Sequence, residues 1–459
     1  MEGHLSCPVQ NPSPTRHPPL PADRRAELDG SPDRQDHAVQ PPGMERDREG
    51  TKRGMLKMAK NVIPDNSSRS ATRVCLVTPE FPPFQWGGLS RTVANVAIHL
   101  SRAGLQVDVA HMQVEDDPVV LLDENRKTET GAGATIHRLR IGREPVSRSG
   151  GSLWDCPHNL TLQMMYQSLE KLHLELDFRI FHSFFLYPVG YVTGLLAHRY
   201  GRRHVASIVG NDVKRYPFSP EKGFLCANAL SNSDSVVGVS RDLVDMADAL
   251  VPIKDRSRVI YNSVAVPSRA WKPNGVKGRF KIGFAGIFKY AKGVPYLMKA
   301  TADLAKSGPA HLELLGHIRD SEAPVLDEMI RRAGVEGCFS LRSPVGHKMI
   351  FKWLRGLDVF ALSSVTEGCP NILMEAMACG LPVVATKVGA VPDLVEDRKS
   401  GLLVPWGDAA ALSRALAEIR SEPGLGVSLG RAARERMKLF SPARERKEWE
   451  RLYGEILSP

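Results

Sequence analysis

The stretch S-V-T-E-G-C-P-N-I-L-M-E-A-M-A, from Ser364 to Ala378, decides the fold. An apolar run that ends in small polar residues comes directly before it, as at the carboxyl end of a buried parallel strand. Pro370 suits the first turn of a helix, because its missing N–H would have no intrahelical partner there. Glu367 therefore lies in a loop between strand and helix, and Glu375 about one turn into the helix. Such a loop directs free backbone N–H groups and a positive helix end above the sheet, which favours a phosphate ligand.

The two carboxylates have a chemical use beside such a phosphate. A carboxylate only accepts hydrogen bonds and can hold two adjacent hydroxyl groups at once. One of the two carboxylates can then reach a sugar ring, while the other reaches hydroxyls on the nucleotide side. The ordinary alternative is a surface-loop glutamate and a helix glutamate that merely favours the helix dipole.

The longer string around this pair carries a family resemblance. Residues 367–386, E-G-C-P-N-I-L-M-E-A-M-A-C-G-L-P-V-V-A-T, closely resemble the E-x(7)-E signature of retaining GT-B glycosyltransferases, the "group 1" nucleotide-sugar transferases. The run V-G-A-V-P-D-L-V-E-D-R-K-S-G-L-L-V-P follows, as in that family. The resemblance extends from about residue 73 to the end and is strongest between Ile282 and Pro405. It implies transfer of a hexose from a nucleoside-diphosphate sugar to a hydroxyl acceptor, with retention of anomeric configuration.

The same resemblance assigns roles to residues of the loop and helix. Glu375 is expected to bind the ribose hydroxyls, and Glu367 to hold the sugar ring near C3 and to act as a catalytic residue. The segment between them is expected to bind the sugar and phosphate of the donor. That segment consists of Gly368, Cys369, Pro370, Asn371 and Ile372.

A second loop of the donor half resembles the family pattern G-R-x-x-x-x-K-G. In G-I-F-K-Y-A-K-G, Lys292 matches the family's lysine, and the resemblance implies that it stabilises charge on the departing diphosphate. Ile287 stands where the family has arginine. Lys289 can supply the missing charge as a point charge without a bidentate fork, or it is an ordinary solvated loop lysine.

The amino-terminal half contributes a further pair of glycines. Gly87 and Gly88 follow the first strand and its loop, where absent side chains let a backbone approach a ligand closely at a helix amino terminus. They resemble the family's G-G loop beside the donor diphosphate, although a plain tight turn is the alternative reading. Asn262 matches the family's N-G position, and we interpret it as a turn residue near the hinge.

The acceptor side departs more from the family pattern. His182 resembles the first histidine of a strand-end H-x-H, with Phe184 in place of the second. Gly210 to Asp212 resembles H-G-x-D, with Val209 where a histidine is usual. We expect the Asp212 carboxylate to face the cleft as an acceptor-side and catalytic residue. His182 is either a second acceptor-side residue or a hydrogen-bonded histidine at a strand end.

Length and patterning predict the architecture. The 459 residues suffice for two domains, and short apolar strands alternate with helices on both sides of a linker near residues 266–278. The resemblance implies the GT-B α/β fold, with two Rossmann-like doubly wound parallel sheets facing a cleft. The predicted regions are a disordered leader (1–71), an amino-terminal acceptor domain (72–266), a carboxyl-terminal donor domain (267–440) and a helix that crosses back (441–459).

Composition indicates where the protein works and which partners it can bind. Mean hydropathy is −0.22, and no apolar run is long enough to span a bilayer. No signal peptide is evident, and the seven scattered cysteines indicate reduced thiols. The net charge of +10 suits a nucleotide diphosphate and an anionic membrane surface, whereas no motif indicates nucleic-acid binding. We expect a cytoplasmic protein that contacts the inner membrane face peripherally, and the family resemblance together with the basic charge implies a lipid-linked glycan or a polysaccharide as acceptor.

The chemistry leaves several alternatives open. The donor half has no Asp-x-Asp pattern at a strand end, so we expect neither a metal nor another cofactor. No second carboxylate is placed for a retaining hydrolase, and no G-x-G-x-x-G follows the first strand as a dinucleotide-binding oxidoreductase would require. A catalytically silent module that binds nucleotide sugars remains an alternative, as does an enzyme resembling phosphorylase or sucrose synthase.

Overall fold

A computed structural model of the protein describes residues 72–83, 88–115, 122, 124–142, 159–273, 278–318, 323–325, 328, 331 and 336–458. The predicted leader, residues 1–71, lies outside the described residues. Two parallel sheets organise the described part of the chain.

The first sheet contains eight strands in the order β3-β4-β2-β1-β5-β6-β7-β8 among the described residues. All neighbours are parallel except β3, which is antiparallel to β4. The strands are β1 (Arg73–Thr78), β2 (Gln106–Glu115), β3 (Arg126–Gly131), β4 (Ala134–Gly142), β5 (Ile180–Phe184), β6 (Arg203–Ile208), β7 (Ser235–Gly238) and β8 (Ser257–Val259). The helices of this half are α1 (Leu89–Arg102), α2 (Asn159–Leu176), α3 (Tyr191–Arg199), α4 (Asn211–Lys214), α5 (Pro220–Ser231) and α6 (Arg241–Leu250).

The second sheet contains six parallel strands in the order β11-β10-β9-β12-β13-β14, again counted over the described part of the chain. They are β9 (Phe280–Phe288), β10 (Ala310–Ile318), β11 (Phe339–Arg342), β12 (Val359–Leu362), β13 (Val383–Thr386) and β14 (Leu402–Val404). The helices that follow the linker are α7 (Val294–Ala305), α8 (His347–Leu354), α9 (Asn371–Cys379), α10 (Val391–Leu394), α11 (Ala409–Ser421), α12 (Pro423–Met437) and α13 (Pro442–Leu457).

Both sheets have the Rossmann strand order. The order is 3-2-1-4-5-6 in the second sheet. The first sheet has the same order with a seventh strand, β8, added after the sixth, when the edge strand β3 is set aside. The strand order reverses between β1 and β5 and between β9 and β12. Ligands of such sheets bind outside the carboxyl ends of the strands at this reversal. The predicted pair of doubly wound α/β sheets is confirmed, whereas the exact domain limits stay a prediction.

The buried strands explain why the sequence folds in this way. All four residues of β12 are buried, as a strand covered by helices on both faces requires. Helix α9, which follows it, is also buried from Leu373 to Cys379, because it lies between the sheet and its neighbouring helices. The site loop is therefore held between two elements that have little freedom to move.

The last helix, α13, packs against the first sheet's half of the molecule. Trp449, Leu452 and Tyr453 are buried in one cluster with Val93 and Leu100 of α1. Within the described residues, no helix combines the length and apolar character needed to cross a bilayer.

Candidate functional site

A cavity of about 730 Å³ lies where the carboxyl ends of the two sheets face each other. Both halves of the chain line it, so neither half alone contains the site. From the first half, the lining includes Gly88, Arg91, Val209, Gly210, Asn211, Lys214 and Asn262. From the second half, it includes Ile287, Lys289, Lys292, His317, Glu367, Gly368, Cys369, Pro370, Asn371, Ile372 and Glu375.

The Glu367 carboxylate is fixed on the loop between β12 and α9. Lys292 Nζ lies 2.7 Å from its Oε1 atom, and the Ser364 hydroxyl donates to the same oxygen over 2.6 Å. The Glu367 side chain is 9% exposed and the Lys292 side chain 22%. The pair is thus held tightly, but it still faces the cavity.

Backbone shape brings Lys292 to that position. Lys292 ends a short 3-10 turn, and Gly293 follows with φ of 60° before α7 begins. A Cβ atom at Gly293 would overlap the carbonyl oxygen of Ser363, and the Ser363 hydroxyl donates to the Lys292 carbonyl over 3.0 Å. Only glycine adopts this left-handed conformation at such close approach without strain. The strand end of β12 therefore holds Lys292 beside Glu367.

The amino terminus of α9 opens into the same cavity. Pro370 directly precedes the helix instead of lying in its first turn, and no side chain caps this end. The first N–H groups of a helix have no intrahelical partner, so they can bind an anion. A Cβ atom at Gly368 would lie 2.5 Å from the Val209 carbonyl oxygen, so this glycine lets the two halves approach closely.

Glu375 lies deeper in the cavity wall and is 3% exposed. Arg91 Nη1 donates to Glu375 Oε1 over 2.6 Å, which joins α1 of the first half to α9 of the second. The sequence motif predicts Glu375 as a site residue, whereas no motif predicts Arg91. Its position in the first turn after the Gly-Gly pair is the signal that could have drawn attention to it.

The start of α1 also meets α9. Gly88 precedes α1, and a Cβ atom there would lie 3.1 Å from the Asn371 Nδ2 atom. Gly87, its predicted partner, lies outside the described residues. Asn262 links the halves, because its amide donates to the Cys369 carbonyl over 3.2 Å and its Oδ1 atom accepts from Thr92.

Asp212 does not take the position expected from the sequence. Its carboxylate is fully buried and does not line the cavity, because it accepts hydrogen bonds from the N–H groups of Val209 (3.1 Å) and Gly210 (2.7 Å). Burial raises the pKa of this carboxyl to about 6, against the lowering effect of those N–H groups. The turn folds the aspartate inward and leaves its neighbour Asn211 on the cavity wall.

The structure also places His182 away from the cavity. It is fully buried in β5, with Nδ1 2.8 Å from the Tyr453 hydroxyl and Nε2 2.7 Å from the Ser207 hydroxyl. Burial, with a smaller effect of His204, lowers its pKa to about 3. This environment is that of a hydrogen-bonded core histidine, which is the alternative that the sequence left open.

The charges of the lining are mixed and mostly paired. Four basic side chains (Arg91, Lys214, Lys289, Lys292) face three carboxylates (Glu80, Glu367, Glu375). Within the described part of the chain, no three His, Cys, Asp or Glu side chains cluster as metal ligands would. The arrangement can hold a ligand that carries both negative charge and hydroxyl groups.

The chain matches two protein families, one in each half. Residues 279–422 match the family described as "Glycosyl transferases group 1", and residues 86–266 match "Glycosyltransferase Family 4". These two regions contain the residues that line the cavity, except Glu80.

Curated relatives cover most of the chain. The D-inositol 3-phosphate glycosyltransferase of Saccharomonospora viridis is 31% identical over 385 residues, which are 77% of this chain and 86% of the relative. The protein of the same description from Paenarthrobacter aurescens is 26% identical over 379 residues, which are 76% of this chain and 88% of that one.

Solved structures share the fold at lower identity. Sucrose-phosphate synthase from Thermosynechococcus elongatus superposes with a TM-score of 0.67 at 19% identity, covering 84% of this chain and 99% of that one. Anabaena Alr3699/HepE in complex with UDP-glucose gives a TM-score of 0.65 at 16% identity, covering 83% of this chain and 99% of that one. The predicted resemblance is confirmed: the chain belongs to the group 1, family 4-type glycosyltransferases of the GT-B fold.

Proposed function

We propose that this protein moves a hexose from a nucleoside-diphosphate sugar to a hydroxyl acceptor, with retention of configuration and without a metal ion. The observation that carries this proposal is one cavity that holds two fixed carboxylates, Glu367 and Glu375, beside the uncapped amino terminus of α9. A nucleotide sugar offers what each part prefers: hydroxyls for the carboxylates and phosphates for the helix terminus. The solved relative in complex with UDP-glucose supports a donor of this class.

The residues of the cavity suggest how the transfer proceeds. Glu375 accepts from the ribose hydroxyls, and Glu367 orients the sugar ring. The bond between sugar C1 and the diphosphate oxygen breaks with its electron pair passing to the diphosphate. Lys292 and the α9 amino terminus stabilise that charge, which is preorganised electrostatic stabilisation.

The acceptor oxygen completes the exchange. It bonds to C1 on the face that the diphosphate leaves, and its proton passes to the departing phosphate oxygen. We place the acceptor beside Asn211 and Lys214, which line the cavity, since the Asp212 carboxylate is turned into its own loop. The acceptor that we propose is a lipid-linked glycan or a polysaccharide. D-Inositol 3-phosphate also belongs in a test panel, since both relatives described above are named for it.

Donor binding tests the first step. Calorimetry would compare UDP-, GDP- and ADP-sugars on the wild-type protein, on Glu375→Ala and on a matched control, Glu435→Ala, which removes an exposed glutamate of α12. We expect one donor to bind, with at least about tenfold weaker binding by Glu375→Ala and no change in the control, since hydrogen bonds to charged groups contribute about 1.5–3 kcal/mol. Equal affinity in Glu375→Ala would contradict the assigned ribose site.

Turnover separates the alternatives. Transfer to a hydroxyl acceptor with the anomeric configuration of the donor, read by NMR, supports the proposal. Binding of a donor with neither transfer nor slow hydrolysis would favour a silent module. Transfer to phosphate would favour a phosphorylase-like enzyme, and transfer to fructose a sucrose-synthase-like enzyme. Strong stimulation by Mg²⁺ or Mn²⁺ after treatment with a chelator would contradict metal independence.

We also propose that the protein works in the cytoplasm and contacts the inner membrane face peripherally. The net charge of +10 supports this, because anionic lipids attract basic surfaces. Co-sedimentation with anionic vesicles, abolished by high salt and absent with neutral vesicles, is the expected result. Equal sedimentation with both vesicle types would contradict it.

A further inference from the structure

The ion pair between Arg91 and Glu375 joins the two halves of the molecule inside the cavity. Arg91 is the third residue of α1, and Glu375 is the fifth of α9. Their nitrogen and oxygen lie 2.6 Å apart, and the Glu375 side chain is 4% exposed against 32% for Arg91. The arginine thus retains contact with the cavity while it neutralises a buried carboxylate.

Both helices begin at the same place. Gly88 and Asn371 meet there, and neither α1 nor α9 has a side-chain cap at its amino terminus. Arg91 is only three residues, about 4.5 Å along the helix axis, from Gly88. A diphosphate between the two helix ends would therefore lie within one helical turn of the guanidinium.

Arg91 is also chemically distinct among the cations of the cavity. In the described part of the lining, the other three cations are lysines, and Ile287 at the end of β9 carries no charge. Lys292 is paired with Glu367, and Lys214 Nζ lies 2.6 Å from Asp242. A guanidinium binds phosphate oxygens through two parallel hydrogen bonds, which an ammonium cannot do.

We propose that Arg91 is a donor-binding residue whose guanidinium passes from Glu375 to the donor diphosphate when the ribose hydroxyls engage that carboxylate. This inference rests on the proposed function and deepens it. The exchange leaves both charged groups with hydrogen-bond partners, because the ribose hydroxyls donate to the carboxylate and the guanidinium donates to the phosphate. Unpaired buried charges are costly, so the two events are expected to occur together.

The exchange has a mechanical consequence for the two halves. Arg91 belongs to the first half, whereas the phosphate-binding end of α9 belongs to the second. Once Arg91 binds the diphosphate, the donor itself connects the halves in place of the direct ion pair. Binding of the donor then stabilises the closed arrangement of the cavity.

The test compares ligands with and without phosphates. We would measure Kd for the nucleoside diphosphate that binds the wild type, chosen among UDP, GDP and ADP, and for the matching nucleoside. The variants are Arg91→Gln, Arg91→Lys and a control, Arg102→Gln, at the exposed far end of α1. We expect Arg91→Gln to weaken the diphosphate about tenfold to a hundredfold, Arg91→Lys to give an intermediate loss, and the nucleoside to be unaffected.

A second set of variants separates direct contact from support of Glu375. If Arg91 contacts the diphosphate, Arg91→Gln also weakens it in a Glu375→Gln background, in which no buried charge remains in the pair. Equal loss for nucleoside and diphosphate, or no further loss in that background, would show that Arg91 only positions Glu375 and would overturn the proposal. Thermal unfolding of each variant shows whether it is folded.

Failure of this inference can be told from failure of the proposed function. If the wild type binds a nucleoside diphosphate and Arg91→Gln binds it equally well, only the role of Arg91 is refuted. If the wild type binds none of the three, the proposed function fails and the inference fails with it.

Discussion

Replacement of Lys292 by methionine tests whether the cation beside Glu367 acts in catalysis or only in folding. At 2.7 Å and an effective dielectric constant of about 20, the gross attraction of the pair is about 6 kcal/mol, most of which desolvation offsets. Loss of one partner of a fully buried pair costs about 3–5 kcal/mol. Because this pair faces the cavity and Ser364 still donates to Glu367, we expect a smaller loss of unfolding free energy, about 2 kcal/mol.

The expected loss of activity is larger than the loss of stability. Removal of one group that stabilises developing charge lowers kcat by about 10²–10³. Urea unfolding and donor turnover would be measured on Lys292→Met, on the double variant with Glu367→Gln, and on Lys387→Met, a half-exposed lysine away from the cavity. The double variant should regain stability, since no buried charge is left, but it should not regain turnover.

Two results would refute this reasoning. Recovery of turnover in the double variant would mean that neutrality of the pair matters and the cation does not. An unchanged kcat with a raised KM in Lys292→Met would mean that Lys292 binds the ground state and the transition state equally.

Two further predictions concern the core of the first half. Tyr453→Phe removes the hydroxyl that lies 2.8 Å from His182 Nδ1, so we expect the free energy of unfolding, measured in urea, to fall by about 1–3 kcal/mol. An unchanged urea midpoint would contradict this. Acidification should also destabilise the protein, because burial lowers the pKa of His182 to about 3 and of His111 and His204 to about 4, from 6.5 when unfolded. Unfolding therefore takes up protons as the pH falls from about 6.5 to 4, and stability decreases over that window. Asp212, whose pKa rises from 3.8 to about 6, opposes this trend, so Asp212→Asn should steepen the loss by up to about 1.4 kcal/mol per pH unit, read from urea unfolding at pH 4 to 7; a shallower loss would contradict the assignment.

The parts of the site that the sequence predicts are local in the chain. Glu367 and Glu375 belong to one strand–loop–helix segment, whose apolar run and turn residues indicate where the loop opens. The strands are predictable for the same reason, except β3, whose sequence R-K-T-E-T-G is a polar edge strand with no apolar run.

The parts that the sequence does not predict depend on contacts between distant segments or on the rotation of one turn. Arg91 meets Glu375 across 284 residues, and no local pattern announces such a pair. Asp212 and its neighbour Asn211 differ by one position in the turn, and hydrogen bonds to the turn's own N–H groups decide which of them faces inward. His182 acquires its partner from α13, at the other end of the folded chain.

The packing of α13 on α1 has a consequence for folding of the protein during its synthesis on the ribosome. Trp449, Leu452 and Tyr453 are translated after every other residue of the core that they complete. Domains generally fold from the amino terminus as they are synthesised, but here the first half would emerge with an open apolar surface on α1. That surface stays uncovered until some 180 residues of the second half and its connecting helices have been made, roughly 10 to 40 seconds at ordinary elongation rates. We therefore expect chaperones to bind the nascent amino-terminal half. A premature stop codon before α13 would leave the apolar surface of α1 permanently exposed.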